Sequence, residues 1–177
     1  MDQFKKIYVC VSLSILIIAN FSIGLFFLPA LPAISASFGA PKYDSQLAYP
    51  LILLGSFFAY VFLGALSDSF GAKKVLCCQL ILFLMSFLVC LFSQSITIFL
   101  LGIFMQGASS YYTLIIRYCK VQLDFNVVQL LSILSITGTI FVPINAMISG
   151  HLAHHNWRHI FVLWSAISIL CLALTIF

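Results

Sequence analysis

Gly64-Ala-Leu-Ser-Asp68-Ser-Phe-Gly71-Ala-Lys73-Lys74-Val-Leu76 is a short polar break between two apolar runs, residues 46–66 and 75–92. Each run is close to the about 20 apolar residues that a helix needs to cross a bilayer. Outward from this pair lie four more such runs, at residues 7–28, 96–116, 127–152 and 159–177. In hydrocarbon an unpaired backbone amide is costly and a helix satisfies its own, so all six are read as helices. An outer-membrane barrel would alternate apolar and polar residues, whereas these runs are apolar throughout. The expectation is an all-α integral membrane protein, with six transmembrane helices forming a single domain over residues 1–177.

Composition points the same way. Of 177 residues, 63% are hydrophobic and 7% charged, against roughly 25% charged in a soluble domain. The mean hydropathy is +1.19. Lipid is the solvent that tolerates such a surface, so the bilayer is the first expected partner. The net charge of +4 comes from eight Lys and Arg against four acidic residues. The basic residues are spread along the chain without forming a patch, and nucleic acid is excluded as a partner. Six cysteines, Cys10, Cys77, Cys78, Cys90, Cys119 and Cys171, make no C-x-x-C pair and fall mostly in apolar runs. They are read as small apolar residues, not as a disulfide framework or a zinc site.

The start, Met1-Asp-Gln-Phe-Lys-Lys before an apolar run, is shaped like a secretory signal. That run exceeds the usual core of about 7–15 residues and five more spans come after it, so it is read as a retained first helix. With the N-terminus in the cytoplasm, Lys5, Lys6, Lys73, Lys74, Arg117 and Lys120 lie inside, and Lys42 and Arg158 outside. That asymmetry satisfies the positive-inside rule, and an even number of spans returns the C-terminus to the cytoplasm. The expected location is the cell (plasma or inner) membrane. No Asp, Glu, Lys or Arg falls inside the six spans so bounded, although proton and ion pathways usually need such residues. Gly64-Ala-Leu66 and Gly150-His-Leu152 each close a span before a short basic loop. This is a slight echo of three helices repeated with inverted topology.

The break at 64–76 also carries a pattern of its own. Asp68, at a helix end, and Lys73 and Lys74 beyond it can form a charge cluster that latches the cytoplasmic side. Gly64 permits close helix approach, and Gly71 a tight turn. In these residues, and in their place between the second and third spans, the chain resembles the major facilitator superfamily. Its signature loop reads Gly-x-Leu-x-Asp-Arg-x-Gly-Arg-Arg or Lys-x-x-Leu. Leu28-Pro-Ala-Leu-Pro-Ala-Ile34 is similar to the Tyr-Leu-Pro-Ala-Leu-Pro stretch of drug:proton antiporters of the bicyclomycin-resistance type. Gln106-Gly107 in the fourth span resembles the tail of the family's Arg-x-x-Gln-Gly pattern. Pro143 and Gly150 in the fifth fit the antiporter motif, where Pro and Gly loosen helix packing. Asn156-Trp157-Arg158-His-Ile-Phe161 resembles the Gly-Trp-Arg-x-x-Phe that opens the sixth helix. Taken in order, these five stretches extend the resemblance over nearly the whole chain.

There are also departures from the family pattern. Leu25 stands where the drug-antiporter branch often has an acidic residue, and Ile103 replaces the motif's Arg, implicated in proton coupling. Ser69 and Ala72 replace basic residues of the signature loop, Met147 a second Pro and His151 a second Gly. Members of the superfamily have two six-helix halves with substrate bound between them, and this chain reads as one N-terminal half. The resemblance implies a membrane transporter that exports small, lipophilic drug-like compounds by alternating access, completed by a second six-helix half or a homodimer. The alternative is a non-transporting remnant, or the partner subunit of a split carrier.

Other residues are weighed on their chemistry. Asn20, Gln106 and Asn145 carry mid-membrane amides that need partners, and serve either as substrate contacts or as helix-to-helix glue. Phe26 and Phe27, like Phe57 and Phe58, are candidates for lining a substrate cavity, although phenylalanine facing lipid is common. His151, His154, His155 and His159 cluster near one surface, a spacing that can bind zinc or sense pH. With no carboxylate or cysteine beside them they are read as interfacial residues, and no metal is expected. Serine runs such as 132–135 have no acid or base nearby, so neither an enzyme nor a cofactor is expected.

Overall fold

The computed structural model describes residues 15, 19, 26–123 and 127–176. Most of the first expected span, including Cys10, Asn20 and Leu25, lies outside them, as do Lys5, Lys6 and the side chains of Cys119 and Lys120. Leu28–Ala30 forms one 3-10 turn that leads into α1 (Leu31–Ser37). Pro29 and Pro32 stand at the starts of these two elements, where a missing N–H leaves no helical bond unmade. Then come α2 (Lys42–Gln46), α3 (Ala48–Phe70), α4 (Ala72–Leu91), α5 (Ile96–Ala108), α6 (Tyr112–Leu123), α7 (Val127–His155) and α8 (Arg158–Ile176).

Among the described residues, four stretches are long and apolar enough to cross a membrane: Lys42–Phe70, Ala72–Leu91, Ile96–Arg117 and Ser135–His155. Leu28–Ser37 and Arg158–Ala173 are shorter apolar helices. The protein is an all-α, multi-pass membrane protein, and its helices fit six spans.

Two boundaries differ from the sequence expectation for physical reasons. The second span continues past residue 66 to Phe70. Ser67 and Asp68 are polar but do not stop the helix; Gly71 does, at φ +89°, a conformation that side chains disfavour. The fourth span, expected to be continuous over 96–116, is broken between α5 and α6. Ser109 Oγ donates to the carbonyl of Gln106 at 2.7 Å, and Ser110 N–H bonds back to Gly107. Such local bonds compete with the helical ladder, beside a glycine that already favours it weakly. α6 then runs on to Leu123, which puts Arg117 inside a helix instead of in a loop.

Close packing is set by small residues. α3 packs along α5 more extensively than any other described pair. A Cβ on Gly107 would collide with the carbonyl oxygen of Ile52, and one on Gly55 would lie 2.7 Å from the amide nitrogen of Ala108. Each glycine thus faces the other helix's backbone. Gly64 was expected to serve this role, but nothing lies within 4 Å of its Cβ position and it is exposed. α4 is held between α5 and α8, and aromatic rings fill the interior. Phe83 and Phe87 meet edge-on at 4.6 Å, and Phe26 contacts Phe87, Phe161 and Trp164 at 5.6 to 5.8 Å.

At one end of the bundle, Trp157 wedges between Phe38, Phe99 and Phe161. Arg158 beside it donates from Nη2 to the carbonyl of Ser93 at 2.9 Å. Asn156 Oδ1 accepts from the Arg158 amide as α8 begins. The Asn-Trp-Arg-x-x-Phe stretch is therefore a joint that ties the α7–α8 turn to the α4–α5 turn.

Candidate functional site

The opposite end is built on the α3–α4 turn. Asp68 lies in the last turn of α3 and forms an ion pair with Nη1 of Arg117 from α6. The same guanidinium nitrogen donates to Ser67 Oγ at 2.6 Å. Ser67 is 2% exposed, so its hydroxyl fixes the guanidinium from the buried side while Asp68 meets it from the wetter one. The clamp joins the second span to the fourth. Among the described residues, Arg117 is the ion-pair partner of Asp68; Lys73 and Lys74, expected in that role, lie exposed. Adjacency in sequence suggested the lysines, but the partner comes from α6, which packs against both α3 and α4.

The remaining motif residues are dispersed. Gln106 is wholly buried, and neither its Oε1 nor its Nε2 has a hydrogen-bond partner. It lies one turn before the α5–α6 break, next to Gly107 and its contact with Ile52. Beyond the break Ser110 Oγ donates to the Tyr60 hydroxyl at 3.0 Å, a second tie between α3 and the fourth span.

Pro143 sits inside α7, where its missing N–H deprives the carbonyl of Thr139 of a helical donor. Gly150 lies beside the first span's end, where a Cβ would make an ordinary contact with Pro29 at 3.7 Å. Asn145 and Ser149, one turn apart, are both buried, whereas Met147 between them is 76% exposed.

Phe26 and Phe27 are 1% and 0% exposed and belong to the aromatic interior, not to a cavity wall. Phe57 and Phe58 point outward, 60% and 42% exposed. Ile103, where the resembling motif has Arg, is fully buried. Asn20 lies outside the described residues.

Sequence reading missed Ser67, and treated Arg117 only as an inside-positive charge. The available signal was Ser67-Asp68 closing one span and Arg117 closing another that returns to the same end. Chemically the arrangement is a releasable clamp. Its charges are 39% and 68% exposed, so solvent screens them and the pair opens at modest expense. No carboxylate, Lys or Arg is buried among the described residues.

Comparison with known proteins places this architecture. The chain is 28% identical over 155 residues to the multidrug resistance protein MdtL of Salmonella dublin, covering 85% of this chain and 39% of that one. MdtL of Salmonella typhimurium strain LT2 is 27% identical over the same coverage. The chain thus spans about two fifths of the length of these curated relatives. The sequence model described as Major Facilitator Superfamily matches residues 11–177, and on that match the chain belongs to the Major Facilitator Superfamily.

Proposed function

We propose that this six-helix unit is one wall of a drug exporter that works by alternating access, facing a second six-helix unit from the same or another chain. The observation that carries the reading is the Asp68–Arg117–Ser67 clamp. It joins the second and fourth spans at one end of the bundle, where a carrier must close and reopen. The similarity to MdtL supports small lipophilic compounds as substrates. The clamp end is cytoplasmic and the membrane is the cell membrane, in keeping with the distribution of Lys and Arg. Gln106 and Asn145 are the amides assigned to substrate; both are buried within this unit, so contact requires the helices to part, and no catalysis is assigned.

A second reading concerns energy coupling. A proton-driven cycle needs an intramembrane group that changes charge, and Ile103 is apolar and buried while every buried polar residue described is neutral. This unit by itself therefore does not couple efflux to protons, which favours a partner-subunit role. Expression of the chain alone in cells lacking their own drug pumps should leave retention of a fluorescent lipophilic cation unchanged from an empty-vector control. Dye loss that stops when the proton gradient is collapsed would refute this.

A further inference from the structure

The α7–α8 turn, at the Arg158 end of the bundle, carries His151, His154 and His155 on α7 and His159 on α8. α7 runs unbroken to His155, so His151 and His155 stand one turn apart on the same face. Their rings meet edge-on, with centroids 5.8 Å apart. Both side chains are exposed, and beyond that ring contact neither makes a hydrogen bond or an ion pair. At about 100° per residue His154 falls on the other side of His151 from His155. There it borders a small cleft with Pro29, Pro32 and Gly150.

Two imidazoles at i and i+4 on one helix face are spaced to share a single metal ion. Their electrostatic setting suits a cation. The pair occupies the end of α7, where the helix dipole is negative. Arg158, three residues beyond His155, spends its guanidinium on the Ser93 carbonyl and on the Trp157 ring, 5.1 Å from the centroid. Among the described residues no three potential ligands come together, so water must fill the rest of the coordination shell. Imidazole donors suit nickel, copper and zinc, whereas magnesium and calcium take oxygen ligands.

We propose that His151 and His155 form a surface site for one divalent transition-metal ion, of the nickel and zinc class. Each imidazole gives one nitrogen and water gives the remaining ligands. The sequence reading expects no metal because no carboxylate or cysteine stands beside the cluster; a chelating pair needs neither. His151 stands where the resembling antiporter motif has glycine, so the family motif does not supply this pair. The bound ion would bridge the last turn of α7 through side chains, alongside the backbone bond from Asn156 to Leu152. The proposal does not depend on the transport reading.

The test is calorimetric titration of the full chain, free of any histidine tag, with nickel and then zinc chloride in detergent. Cys77→Ser and Cys78→Ser are included so that the exposed Cys78 thiol cannot compete for the ion. One ion should bind per chain, and magnesium or calcium should give no heat of binding. His151→Ala and His155→Ala should each weaken binding about tenfold or more, at least the cost of losing an outer-shell partner. His154→Ala and His159→Ala should change it little. A second arm uses the unsubstituted chain, so misfolding of a variant cannot imitate its result. Diethyl pyrocarbonate modifies accessible imidazoles, and mass spectrometry of the peptides locates the label. Zinc should slow labelling of His151 and His155 several-fold and leave His154 and His159 as they were. Unchanged affinity in His151→Ala or His155→Ala, equal losses across the four variants, or protection of all four histidines or of none would overturn the proposal.

Discussion

Single side chains in this protein act through the neighbours that packing brings to them more than through their neighbours in sequence. Asp68 and Arg117 are far apart in the chain, yet the guanidinium bridges Asp68 and the buried Ser67 hydroxyl. Because both charges are more than a third exposed, the pair contributes about 1 kcal/mol or less. A double-mutant cycle of Asp68→Asn and Arg117→Gln, read by thermal unfolding in detergent, should show a coupling of that size which shrinks in high salt. The glycines make a sharper contrast. Gly107→Ala drives a methyl into the Ile52 carbonyl and should destabilise by about 1–3 kcal/mol through overpacking. Gly64→Ala meets open space, and by removing a helix-interior glycine should be neutral or stabilising by up to about 1 kcal/mol. The reverse order of melting temperatures would contradict the packing described.

Elements are interrupted where a local bond or a missing donor competes with the helical ladder. In the fourth span the hydroxyl of Ser109 takes the Gln106 carbonyl, and α5 ends one turn after an unpartnered, fully buried amide. In α7 the interruption is chemical but the helix persists through Pro143. Pro143 is exposed, so substitution by alanine creates no cavity and restores the bond to Thr139. Pro143→Ala should stabilise the chain by about 1–3 kcal/mol, seen as a higher melting temperature in detergent. No gain would mean that neighbouring groups already compensate the lost bond.

For the whole molecule, contacts sort the turns into two ends. Arg158 reaches the Ser93 carbonyl, so the α4–α5 and α7–α8 turns share one end, while Asp68 and Arg117 bring α3, α4 and α6 together at the other. Reporter fusions near Lys42 and near His155 should therefore read the same side of the membrane, and one near Lys73 the opposite side. The Lys and Arg distribution assigns Lys73 to the cytoplasm, and a reporter there that reads outside would reverse the orientation.

The apolar runs by themselves determined that this is an all-α membrane protein, because in lipid a run of that length can satisfy its backbone only as a helix. The order of its motifs likewise determined the family, and Gly71 marked the turn, since few residues other than glycine adopt a positive φ readily. Only the tertiary structure decided which partners those motifs use. Arg117 in place of Lys73 and Lys74, Gly55 and Gly107 in place of Gly64, and Phe26 and Phe27 in the packed interior all depend on which helices lie side by side. Span-forming residues are nearly uniform in hydrophobicity, so their pattern carries little record of which face is covered by protein and which by lipid. The register of one helix against another, set by small residues and buried hydroxyls, becomes visible only once the helices are packed.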